Sequence, residues 1–256
     1  MAIKTILSST LLVVFTLTCF SVDAQSKIFE NPKNLKVLPE DISPKELSNT
    51  MRGFALGLGL RCTNCHVGEE GKPLSSFDFA SDEKPIKEKA RLMMQMMNEI
   101  NQTFVPKLNQ VEDEKRVAVR CVSCHRGQQK PLLIEDALNQ ALASGEPDAV
   151  VNKYKGLREK YYGSHTFDFS ISVLPSFSDN LLKEGFDKEA LELMELNQTY
   201  YPDSYYGNFV RAKALQKNQK NKAAIEAYKK ALELNPRAGF INGIIEQLSK
   251  ASATKK

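Results

Sequence analysis

Cys62-Thr63-Asn64-Cys65-His66 and Cys121-Val122-Ser123-Cys124-His125 are the residues of this chain best suited to chemistry. In each box two thiols stand three positions apart and an imidazole follows the second. That spacing suits two thioether bonds to the vinyl groups of one porphyrin, with the adjacent His brought beneath the iron. It is the pattern of c-type haem attachment. Of the 5 cysteines and 3 histidines, only Cys19 and His165 lie outside the boxes. The reading is two covalent c-type haems, held through Cys62, Cys65, Cys121 and Cys124, with His66 and His125 as proximal iron ligands. Four thiolates could instead chelate zinc, and Cys-x-x-Cys also serves redox dithiols. Either alternative leaves two histidines at the same offset without a role.

An iron held by one His takes a sixth ligand or leaves that position open. A Met thioether is soft and neutral, and raises the potential relative to a second His. Met51 is the Met nearest the first box, and its segment runs straight into that box. It is the candidate there, although Met on an amphipathic stripe also serves as core. Upstream of the second box stand Met93, Met94, Met96 and Met97, among which spacing does not choose. His165 and Lys107 are weaker donor candidates, and His165 reads as a surface or locally bonded residue.

The elements that must position these groups are helical. Ser43, Pro44 and Glu46 open a helix as N-cap, first helical residue and capping-box partner. Leu47, Met51, Phe54, Ala55 and Leu58 share one face, and Gly57 and Gly59 end it. After a loop over 69–81, Ser81 or Asp82 caps a second helix that starts near Pro85. Its stripe is Ala90, Met93, Met97, Ile100 and Phe104, and Pro106 stops it. A polar stretch over 109–115 leads to the second box. One unit, a Met-bearing helix, a loop and a box, is thus used twice.

Beyond Gly127 cysteine disappears and a new period begins. Pro202 and Pro236 are 34 residues apart, the tetratricopeptide period. Ala190 pairs with Ala224, Leu191 with Ile225, Met194 with Tyr228 and Leu181 with Leu215. Residues 132–143 and 147–162 form a degenerate leading pair, and 241–248 a capping helix. The fold class is mostly α. Residues 1–24 are a signal peptide, 25–130 a small dihaem domain with long loops, 131–250 a helical solenoid, and 251–256 a loose tail.

Lys4, the apolar run from Ile6 to Phe20 and the small residues around Val22-Asp23-Ala24 make the leader secretory, with cleavage after Ala24. The run is short of the ~20 residues of a spanning helix, and Cys19 has a poor lead-in for lipidation. The expectation is a periplasmic or otherwise exported protein with no spanning segment in the mature chain. The formal charge of +4 is close to cancelled by four haem propionates. No clustered basic stripe supports nucleic-acid binding.

Residues from about Asn34 to Gln128 resemble the multihaem cytochrome subunit of photosynthetic reaction centres and related dihaem proteins. The resemblance is carried by Met51 with Cys62–His66, by Ala90-Arg91-Leu92-Met93 through Ile100-Asn101, and by Cys121 through Gly127. It implies packing of helices on haems, one-electron transfer, and Met93 as the second distal ligand. The chain departs from that pattern in having two boxes rather than four, Lys107 where a distal His would stand, and an insert over Val111–Arg116. A reaction-centre partner is therefore not implied.

The expected function is electron carriage between redox proteins, with the repeats docking a partner or bracing the haem half. Oligomeric state is open. The alternatives are a dihaem peroxidase-like enzyme, which needs one open or displaceable iron site, and a haem-bearing scaffold or sensor.

Overall fold

A computed structural model describes residues 27–112 and 117–253. The signal peptide, its cleavage site and Cys19 lie outside them, as do residues 113–116 of the expected insert. Among the described residues the chain is helical, with one isolated antiparallel bridge between Val67 and Asp78. It divides into two compact units. One comprises the described residues up to Ala55 together with Arg61–Val119, and the other comprises Leu56–Leu60 with the chain from Arg120 onward. The second box therefore groups with the repeats, upstream of the boundary expected near residue 130.

Helix α1 spans Pro44–Leu58, its residues up to Ala55 belonging to the first unit. Its capping box forms as expected: the Ser43 N–H donates to Glu46 Oε2 and the Glu46 N–H to Ser43 Oγ, each at 3.2 Å. The Ser43 hydroxyl, which donates to Glu46 Oε2 at 2.6 Å, and then the Ser43 N–H hold the Glu46 carboxyl below its usual range. The first box forms the single turn α2, Cys62–Cys65, and α3 follows at Pro85–Glu99.

Two expectations fail here. Pro106 does not stop the helix. A π turn over Ile100–Phe104, closed by the Val105 N–H on the Ile100 carbonyl, leads directly into α4, Val105–Glu112. Proline lacks an N–H and crowds the carbonyl four residues back. The wider i→i+5 turn removes that demand on the ladder, so the helix passes through Pro106.

Nor does Ser81 or Asp82 cap α3. Lys84 stands at its N-cap without a side-chain bond. Asp82 instead gathers cations, with Lys36 and Arg91 at 2.8 Å and Lys87 at 3.2 Å. Arg91, only 7% exposed, also pairs with Glu88 at 2.9 Å and donates to the Asn34 carbonyl at 3.3 Å. Lys87 Nζ donates to the carbonyls of Phe79, Ala80 and Ser81. This network ties residues 34–36 and the loop before α3 to the helix.

The second unit holds the second box as α5, Cys121–His125, and then seven helices. These are α6 Ile134–Leu142, α7 Ala149–Tyr161, α8 Val173–Glu184, α9 Asp187–Tyr200, α10 Tyr205–Lys217, α11 Asn221–Leu234 and α12 Phe240–Ala253. The 34-residue period survives in the packing: Ala190 and Ala224, Leu181 and Leu215, and Met194 and Tyr228 are all buried. Small Ala side chains let successive helix pairs close on one another around a core running from Ile134 to Leu248. Pro202 and Pro236 follow the ends of α9 and α11, where a missing N–H does no harm. Helices α6 and α7 occupy the expected leading pair. Helix α12 outruns the expected cap, so the first residues of the expected tail, up to Ala253, are helical.

Candidate functional site

Both boxes are built by the same local device. In the first, the Arg61 N–H donates to Asn64 Oδ1 at 2.9 Å and the His66 N–H to the Cys62 carbonyl at 2.9 Å. In the second, the Arg120 N–H donates to Ser123 Oγ at 3.1 Å and the Arg126 N–H to the Val122 carbonyl at 3.1 Å. Asn and Ser side chains favour such local bonds, which fold the chain into one tight turn. Each turn sets the two thiols on one side with the imidazole following at once. Asn64 and Ser123 escaped the sequence reading, yet their signal was present: Arg precedes each box, and a short polar side chain fills the same slot in both.

The walls of the two boxes differ. At the first, the loop folds back through the Asp78 N–H on the Val67 carbonyl at 2.9 Å. It brings Phe79 edge-on against His66, ring centroids 5.0 Å apart, with Phe77 stacked on Phe79 at 5.7 Å. Gly68 is required beneath Phe77, since a Cβ there would come within 2.4 Å of the ring. His66 Nδ1 is buried and has no hydrogen-bond partner. Burial, then Lys87, pushes the His66 pKa down; the Phe79 carbonyl opposes this, but it already accepts from Lys87 Nζ at 2.9 Å. Lys84 Nζ donates to the Thr63 carbonyl inside the box, fixing the first turn of α3 to it.

Before the second box, Asn101 holds the incoming chain at Val119 in both directions. Asn101 Nδ2 donates to the Val119 carbonyl at 2.8 Å, and the Val119 N–H to Asn101 Oδ1 at 2.7 Å. On the exit side, His125 Nδ1 lies 3.0 Å from the Gln128 carbonyl. A carbonyl only accepts, so Nδ1 carries the proton and Nε2 keeps its lone pair for a metal. The Gly127 N–H donates to the Gly57 carbonyl at 2.9 Å. Gly59, at φ +62°, sits so close that a Cβ would fall 2.2 Å from the Gly127 carbonyl. Thr166 Oγ1 bonds the Arg126 carbonyl at 2.8 Å.

His165, distant in sequence, is thereby brought to this box. It lines a cleft of about 790 Å³ with Leu56, Val122, Ser123, Arg126 and Asp168. At 100° per residue, Val122, Ser123 and Arg126 occupy the face of α5 away from Cys121, Cys124 and His125. His165 thus lies behind the box, not over its thiols. Lys107 Nζ stands 5.3 Å from the centre of the Phe104 ring.

The four thiols are free. Burial pushes the Cys65 and Cys121 thiols up, away from the depressed pKa of reactive dithiols. Among the described residues, no three His, Cys, Asp or Glu side chains gather as a metal cluster. Met51 is half-buried on α1, and Met93 on α3 is 48% exposed. Around Met93, apolar side chains also stand in the open: Leu92, Met96, Phe104 and Leu108. Free thiols on one side of a turn, an adjacent imidazole and uncovered apolar side chains are the surroundings a covalently attached porphyrin needs, and the residues present fit it.

The turn-box construction and its helical setting define a haem-binding cytochrome of the c type. Residues 14–153, more than half of the chain, match the family described as photosynthetic reaction centre cytochrome C subunit, and the chain belongs to that family. No curated protein and no solved structure matches it.

Proposed function

We propose that this chain is an exported dihaem cytochrome that carries single electrons between redox proteins. Cys62, Cys65 and His66 hold one haem, and Cys121, Cys124 and His125 the other. Met51 and Met93 supply the sixth ligands, and the 34-residue helix pairs are tetratricopeptide repeats that dock a redox partner. When bound, a c-type haem supplies one-electron iron chemistry. The residues of the chain fix its two edges, present an imidazole and surround it with apolar side chains.

The observation that carries this reading is the doubled construction of the box. Two turns built alike, each with a half-buried thiol and a half-buried imidazole, support two attachments. Export is supported by the leader pattern; among the described residues no helix is long and apolar enough to cross a membrane.

The test is spectroscopic. Pyridine haemochrome analysis of the purified protein is expected to give two haems per chain. Optical and EPR spectra are expected to show both as low-spin and indifferent to CO. A haem that binds CO or is high-spin would replace the carrier with a peroxidase-like or gas-binding reading. Met51→Ala and Met93→Ala are each expected to turn one haem high-spin. A silent Met93→Ala beside an active Met96→Ala or Met97→Ala would move the second ligand.

A further inference from the structure

We infer that the two proximal histidines are unequal donors, and that the haem on His66 has the higher reduction potential, which makes it the electron sink of the pair. The inference rests on the dihaem reading above and adds to it an order between the two sites.

The first difference is at Nδ1. His125 Nδ1 donates to the Gln128 carbonyl at 3.0 Å. Such a bond pushes electron density into the ring, strengthens Nε2 as a ligand and favours ferric iron. His66 Nδ1 is buried without a partner. The Phe79 carbonyl, which faces His66, is engaged by the Lys87 ammonium at 2.9 Å, which makes it a poor acceptor. His66 is therefore the weaker donor, and favours ferrous iron.

The second difference is charge. Lys84 is bonded to the Thr63 carbonyl within the first box, and Lys87 to the loop that carries Phe79. Asp82 and Glu88 on this side are shared among Lys36, Lys87 and Arg91. Lys84 and Lys87, both half-buried, are the cations bonded to the box and to the loop against His66. Half-buried cations are weakly screened and disfavour the more positive ferric state. At the second box the nearest cations, Arg120 and Arg126, are exposed. Both differences act in the same direction.

The experiment is a spectroelectrochemical titration of the full holoprotein and of its K84Q/K87Q variant. The wild type is expected to show two midpoints separated by at least tenfold in the ferrous-to-ferric ratio, about 59 mV for one electron. The variant is expected to lower the higher midpoint and leave the lower one in place. A variant that moves the lower midpoint, or neither, overturns the inference.

A second measurement stands independently of that variant's folding. In the ¹⁵N-histidine-labelled H165Q holoprotein only two imidazoles remain. One exchange-protected Nδ1–H is expected, on the lower-potential haem. Two equally protected protons, or protection on the higher-potential haem, overturns the inference. Two low-spin haems with coincident midpoints defeat the inference alone, whereas a single haem per chain defeats the dihaem reading with it.

Discussion

The stretch around the first box and the repeat helices solve the problem of folding differently. Among the described residues of the first unit, Leu47 is the one hydrophobic side chain that is buried. Leu92 is 55% exposed on a helix whose apolar stripe should find a partner. Polar tethers hold this stretch: Asp82 among its cations, Lys87 on three carbonyls, and Asn101 on Val119. In the repeats, buried Leu, Ala and Tyr side chains form one continuous core. Hydrogen bonds and exposed ion pairs contribute little net stability each, while apolar burial drives folding. The repeats thus carry their own core, whereas the first stretch buries little apolar surface by itself.

The sharpest way to break this contrast is to stop attachment at the first box. In a C62A/C65A chain, limited proteolysis is expected to cut throughout residues 27–112, while the repeats keep their helical circular dichroism and thermal transition. Resistance of the first stretch would show that it folds by itself.

Next in size are truncations. Leu193→Ala, at a fully buried site, is expected to cost about 2–5 kcal/mol in urea unfolding. Leu92→Ala in haem-free protein is expected to stay within about 0.5 kcal/mol. Asn101→Ala leaves two half-buried backbone groups of Val119 without this partner, and is expected to cost about 1 kcal/mol. Its signature is local, as faster hydrogen exchange at the Val119 amide.

The smallest effects separate the regions by pH. Arg91, then Lys36, holds the Asp82 carboxyl far below its usual range. Its contribution is complete above the ordinary carboxylate range and is lost as pH falls through that range towards the lower folded value. Asp82→Asn is expected to flatten this acid limb in the first stretch only. In the repeats, burial pushes the Tyr154 and Tyr228 phenols up to about 12. Their contribution is present below the usual tyrosine value of about 10 and is lost as pH rises from there through about 12. Far-UV melts across both limbs, against D82N and Y228F, check the assignment.

Features that depend on neighbours in sequence were legible. The boxes, the Ser43–Glu46 capping box and the 34-residue alternation of buried Ala and Leu each follow from spacing alone. What the sequence concealed depends on long-range contact. Asp82 resembles an N-cap until Lys36 and Arg91 arrive from other elements. Pro106 reads as a stop because a π turn leaves no mark in composition. The acceptor for His125 is a backbone carbonyl, and no side-chain pattern announces it. The placement of His165 behind the second box needs the Thr166–Arg126 bond, which joins segments far apart in the chain.

The contact between Gly59 and Gly127 bears on the order of assembly. The chain emerges from its N-terminus, so Cys62 and Cys65 are available for modification well before Gly127 exists. The end of α1 has nothing to close against until the second box has been made. Its seating requires a long-range loop closure, a slow class of event. On the proposed dihaem reading, the first box is therefore offered for attachment on an unfinished stem, which closes only once the second box has been made.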